Sequence, residues 1–148
     1  MESLPNNQPC PHCGRYKNRR IAIDALIIQN NKILLIKRRV EPFKDFWALP
    51  GGGIDFDETA EEALQKEVIE ETGLRMVSSK FIQIYTDPNR DPKQVITLSY
   101  YVEAEGEPKA GDDATEYKWF DIHELPELGF DHKKIIEDYQ KVENKAIS

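Results

Sequence analysis

Three glutamates, Glu67, Glu70 and Glu71, stand at i, i+3 and i+4 in a stretch with helical periodicity, a spacing that crowds their side chains on one helix face. Like charges at this spacing cost roughly 0.2–0.5 kcal/mol per pair, and carboxylates near a helix C-terminus also oppose the macrodipole. Lys66 can reach Glu62 or Glu70 on such a helix, which leaves Glu67 and Glu71 without an obvious local cation. A hard divalent ion resolves the conflict, because Mg²⁺ takes one or two carboxylates, several waters and the phosphate oxygens of a substrate. By itself a charge run is usually only a solvated face. Gly51, Gly52 and Gly53 weigh against that plainer reading, since a backbone without side chains just upstream of the helix can approach a ligand closely. Glutamates and glycines together make a candidate metal and phosphate site.

A second group of chemistry-bearing residues lies near the N-terminus. Cys10 and Cys13 form the spacing CPHC, half of a zinc ribbon, and a closed structural zinc site wants four ligands. Pooling of the pairs of two chains around Zn²⁺ is one reading; a remnant knuckle with exposed thiols is the other.

The elements that must position these groups follow from periodicity. Ile21–Gln29 and Lys32–Arg38 are apolar strand candidates joined by Asn30-Asn31, a pair that tolerates the positive φ of a hairpin turn. Residues 47–49 read as a short strand ending at Pro50. Residues 59–72 read as a helix: Thr59 and Glu62 fit a capping box, Ala60, Ala63, Leu64 and Val68 form an apolar stripe, and Gly73 stops it. Residues 80–85, 95–102 and 116–120 are further strand candidates, and 132–142 a last helix. Helices alternating with a mixed set of strands give an α/β or α+β fold. The division is a segment 1–20 and one domain over 21–148.

Composition narrows the function classes. With 39% hydrophobic and 32% charged residues the chain is too apolar for a disordered protein. A net charge of −7 argues against broad contact with nucleic acid, which needs clustered cations. No apolar run approaches the roughly 20 residues of a membrane span, and residues 1–20 lack the apolar core of a secretory signal, so no membrane role and a cytoplasmic location are expected.

The pattern Gly52-x₅-Glu58-x₇-Lys66-Glu67-Val68-x-Glu70-Glu71-x-Gly73-Leu74 resembles the Nudix box, GX₅EX₇REUXEEXGU with U apolar. It agrees at every defined position except Lys66, where the family has Arg. The resemblance implies a Nudix-type α/β/α sandwich with a mixed β-sheet over residues 21 to about 141. It also implies roles. Glu67 and Glu71 would be direct Mg²⁺ ligands, with Mn²⁺ as a substitute, Glu70 a direct or water-bridged one, and the carbonyl of Gly51 or Gly52 another; Glu58 would support the loop. Lys66 keeps the charge of the family Arg but offers a single point where Arg offers a fork. The segment 111–120 resembles the region that supplies a late catalytic carboxylate, with Asp113 the best match and Asp112 and Glu116 its rivals; acids decorating a surface loop are the alternative.

KRRVEPFKDFWALPGG, YTDPNRDP, GDDATEYKWF and LGFDH further resemble segments of short ADP-ribose pyrophosphatases. That likeness implies hydrolysis of ADP-ribose to AMP and ribose 5-phosphate by a homodimer. Arg38 or Arg39 would hold a phosphate beside Gly52 and Gly53, and Asp87, Asn89 and Arg90 would line the ribose or base. Phe46 or Trp47 would stack on adenine, with core packing the competing role of Trp47. Phe130, Asp131 and His132 match a family segment that also suits the start of a helix. NADH pyrophosphatases, which carry four cysteines and a SQPWPFP-type segment, and enzymes that remove oxidised nucleotides are alternatives. Non-catalytic ligand-sensing relatives are a third, disfavoured by the three retained glutamates.

Overall fold

A computed structural model describes residues 6–109 and 114–147. Strand β1 (Ile21–Gln29) turns through Asn30 and Asn31, whose φ values of 52° and 62° make the primed turn that two adjacent asparagines permit, into β2 (Lys32–Arg38). The hairpin is paired only at Ile28↔Ile33 and Gln29↔Lys32, after which its arms diverge. β1 then carries parallel β6 (Ile96–Glu105) on one edge and antiparallel β4 (Gly51–Gly53) on the other. β2 carries β3 (Trp47–Ala48) and β7 (Ala114–Asp121), both antiparallel. Outside β6 lies β5 (Arg75–Tyr85), giving a mixed sheet of order β3-β2-β1-β6-β5 among the described residues.

Alternation along the strands sorts side chains to two helices on opposite faces. Ile23, Ala25, Ile27 and Leu34 pack with Ala63, Leu64 and Val68 of α1 (Ala60–Thr72). Leu26, Ile33 and Leu35 pack with Ile135, Ile136 and Tyr139 of α2 (His132–Ile147). The result is an α/β/α sandwich of the α+β class.

Two expectations need adjustment. The strand expected over 80–85 begins at Arg75, and register shifts at Met76/Ser78 and Phe81/Gln83 break the alternation that would have marked it. The last helix runs to Ile147 instead of stopping at residue 142. The glycine run forms the strand β4, with none of the three at positive φ, and that controls the site.

Candidate active site

Helix α1 is well fixed at both ends. The Thr59 hydroxyl accepts from the Glu62 N–H at 3.0 Å while the Glu62 carboxylate accepts from the Thr59 N–H at 3.0 Å, and Gly73, at φ 74°, closes the last turn. Within this frame the three glutamates do not share one environment. Glu71 is 6% exposed, Glu67 is half-buried, and Glu70 is turned to solvent. Residues four apart lie in one row, so Glu67 and Glu71 form a pair along the inner flank and Glu70 sits outside it. Among the described residues no three His, Cys, Asp or Glu side chains converge on one point, so the row is a shared carboxylate face without a preformed cage.

Lys66 does not relieve that row. Its Nζ lies 2.8 Å from Glu58 Oε2 and 3.0 Å from Asp55 Oδ2, pointing back to the loop before the helix and away from Glu62 and Glu70. Glu58 Oε1 in turn accepts the Asp55 N–H at 2.8 Å. The hydrogen bond from Lys66 holds the Glu58 carboxyl below the usual range, and the bond to Glu58 first, then that to Asp55, pushes the Lys66 ammonium up. A lysine thus bridges two carboxylates from one point, where a guanidinium would reach both with a fork. Lys66→Arg is therefore expected to match or exceed wild-type turnover in steady-state kinetics, and a slower variant would contradict this role.

Strand β4 links the helix to the opposite side of the sheet. A Cβ on Gly52 would stand 2.6 Å from the Glu67 carboxyl carbon and 2.7 Å from one of its oxygens, so a side chain here would displace this carboxylate from its present position. Gly51 and Gly53 face the other way: there a Cβ would collide with the Ile23 carbonyl and Asp24 side chain, or with the Arg20 guanidinium. Ladder bonds run from the Ala25 N–H to the Pro50 carbonyl at 2.8 Å and from the Ile54 N–H to the Ile21 carbonyl at 2.9 Å. Antiparallel alternation then commits Gly52 to Ile23 and turns the Gly51 carbonyl to the open edge.

Beyond Gly51 and Gly53 is a cavity of about 210 Å³. Four cationic side chains, Arg20, Arg38, Arg90 and Lys93, line it together with Asp24 and Asp91, an accumulation of positive charge in an otherwise acidic chain. Such a lining suits a phosphate. The walls are held by three consecutive residues. The Phe130 ring, on a backbone of φ 54°, lies 5.0 Å from the Arg38 guanidinium. Asp131 receives Arg90 through two bonds, Nε to Oδ2 at 2.8 Å and Nη2 to Oδ1 at 2.9 Å. His132, 5% exposed, accepts the Leu49 N–H on Nδ1 at 2.9 Å, which leaves its proton on Nε2, 3.2 Å from Asp24 Oδ2. His132→Ala strands the buried Leu49 N–H and is expected to cost about 1–3 kcal/mol, with His132→Asn recovering part through its amide oxygen. Denaturant unfolding measures both, and an alanine variant as stable as wild type would contradict the clamp.

Other named residues lie elsewhere. Phe46 packs edge-on against Phe43 at 5.6 Å outside the cavity lining, and Arg39 is exposed. Asn89 lies in a 3₁₀ turn (Pro88–Arg90) that Asp87 caps, and both line a separate depression of about 360 Å³ with Tyr85, Arg90 and Lys134. Trp47 meets Phe120 edge-on at 5.0 Å in the α2-side core. Glu116 pairs with Lys37 at 3.4 Å, and Asp112 and Asp113 fall outside the described residues. Sequence reasoning overlooked Asp24, Arg20 and Lys93. Asp24 was detectable as the single acid inside the apolar run IAIDALIIQ; Arg20 and Lys93 carry no comparable mark.

Comparison with known proteins identifies the family and the fold. The NUDIX domain family matches residues 18–139. A protein of Methanocaldococcus jannaschii named ADP-ribose pyrophosphatase is 47% identical over 131 residues, covering 87% of this chain and 78% of its own length. A putative 8-oxo-dGTP diphosphatase of Bacillus subtilis is 33% identical over 105 residues, 71% of this chain and 68% of that protein. Among solved structures, the NUDIX domain of Shewanella oneidensis NrtR complexed with ADP ribose superposes with a TM-score of 0.76 at 25% identity, over 85% of this chain and 89% of that one.

Proposed function

The chain belongs to the NUDIX family of hydrolases, and from that premise we propose that it cleaves the diphosphate of ADP-ribose, giving AMP and ribose 5-phosphate. The observation that carries this reading is strand β4, whose middle glycine abuts Glu67 while all three of its glycines border a cavity lined by four cations. A diphosphate spanning that strand meets carboxylates on one side and basic groups on the other. The fit of a divalent ion rests on the space a Cβ at Gly52 would fill and on an all-oxygen donor set, which hard cations such as Mg²⁺ or Mn²⁺ prefer. Glu67, Glu71 and the Gly51 carbonyl would hold the ion, with Glu70 reaching it through water. When bound, it neutralises diphosphate oxygens and makes a coordinated water a stronger nucleophile.

The protein's own groups do the rest. Arg38 and Lys93 bind phosphate oxygens, Arg20 holds the Gly53 end of the strand, and Arg90, fixed by Asp131, keeps one wall rigid. Asp113 is the proposed proton acceptor outside the box. A homodimer is the proposed assembly.

Specificity is tested by measuring kcat/KM with Mg²⁺ for ADP-ribose, NADH and 8-oxo-dGTP side by side. ADP-ribose is expected to lead by at least tenfold. NADH or 8-oxo-dGTP as the preferred substrate would overturn the substrate while leaving the reaction class in place.

A further inference from the structure

The two cysteines take no part in this chemistry, yet their backbone has a definite form. Residues 10–14, Cys-Pro-His-Cys-Gly, make a tight knuckle in which the Gly14 N–H donates to the Cys10 carbonyl at 2.9 Å and the Cys10 N–H donates to the Arg15 carbonyl at 2.7 Å. Gly14 closes it at φ 75°, with open space where a Cβ would stand. Neither cysteine is in a disulfide; Cys13 is exposed and Cys10 partly so. The turn sets two accessible thiols three positions apart on one knuckle, half the ligand number of a tetrahedral thiolate site.

The described residues do not supply the other half. Among the described residues no group of three His, Cys, Asp or Glu side chains gathers around these sulfurs or anywhere else. Of the remaining histidines, His132 is engaged with Leu49 and His123 lies in the turn after β7. Structural zinc is almost always four-coordinate, and an exposed two-thiolate knuckle satisfies that number by meeting its own copy. We propose that two copies of the chain pool Cys10 and Cys13 to bind one structural Zn²⁺ in a four-thiolate site that joins the protomers. Each thiol surrenders its proton on binding, and no electrons are transferred. The segment is tied to the domain by Arg19, whose Nε donates to the Gln94 carbonyl at 2.6 Å and Nη2 to the Thr86 carbonyl at 2.8 Å. The inference builds on the proposed homodimer and is independent of the substrate.

The test uses the full chain purified without chelator, with metal content by mass spectrometry, molar mass by light scattering, and the absorption spectrum after exchange of zinc for Co²⁺. One metal per two chains, a dimer, and thiolate-to-cobalt bands of four-sulfur intensity are expected. The Cys10→Ser/Cys13→Ser double variant is expected to lose the metal and the bands while retaining hydrolysis of ADP-ribose. One zinc per chain on a monomer, a spectrum with fewer than four sulfurs, no metal, or zinc retained by the double variant would each overturn the proposal. Absence of ADP-ribose hydrolysis with the zinc dimer intact would count against the proposed substrate alone.

Discussion

Glu71→Gln is expected to lower Mg²⁺-supported kcat/KM on ADP-ribose by about a thousandfold or more, the equivalent of several kcal/mol of charge stabilisation at the reacting phosphate. The magnitude follows from its position. At 6% exposed, Glu71 is the most enclosed of the three helix glutamates, and it shares its row with Glu67, against which Gly52 packs. An amide keeps the shape and removes the charge. Mg²⁺ raises the melting temperature of a protein it binds by mass action, and that rise is expected in wild type and to be lost in the variant. Calorimetry with and without Mg²⁺ together with kinetics separates this from simple unfolding. A variant with near-normal kcat/KM would remove Glu71 from the site.

Asp131→Ala is expected to cost about 3–5 kcal/mol, because it strips the partner from a buried cation. The Arg90 side chain is 6% exposed, and its third bond, Nη1 to the Val95 carbonyl at 2.6 Å, is to a neutral group. Burial alone would push the Arg90 guanidinium down, and its bonds to Asp131 outweigh that; an arginine is basic enough to remain a cation once the partner is removed. For a domain of this size the melting temperature is expected to fall by on the order of 10 °C. Replacing both residues, Arg90→Met with Asp131→Leu, is expected to restore much of the loss, since an apolar pair of similar volume often matches a buried ion pair. Recovery of stability without recovery of KM would separate the pair's packing role from its role as a cavity wall. A loss under about 1 kcal/mol for Asp131→Ala would show a pair worth no more than a surface one.

Local chemistry was legible in the sequence and distant pairing was not. The central helix and both its caps are written in Thr59, Glu62 and Gly73, and the hairpin in Asn30-Asn31, because each depends on residues within a few positions. The partner of Lys66 was misread because helix spacing offers Glu62 and Glu70, whereas the loop before the helix folds back to bring Asp55 and Glu58 closer. The cavity was largely hidden. It joins residues from β1, β4, the turn after β5 and the start of α2, and the contact of His132 with Leu49 spans 83 positions. What the spacing of glycines did not reveal was their alternation. Reading residues 51–53 as permissive backbone misses that a strand there sends Gly52 to one face of the sheet and Gly51 and Gly53 to the other.

The most direct test incubates the protein with ADP-ribose and Mg²⁺ and resolves the products by chromatography, with chelator and Glu71→Gln as controls. Equimolar AMP and ribose 5-phosphate are expected, with neither formed in the controls. ADP-ribose bound by the protein but recovered intact with Mg²⁺ present would contradict the enzyme reading and make the domain a ligand sensor.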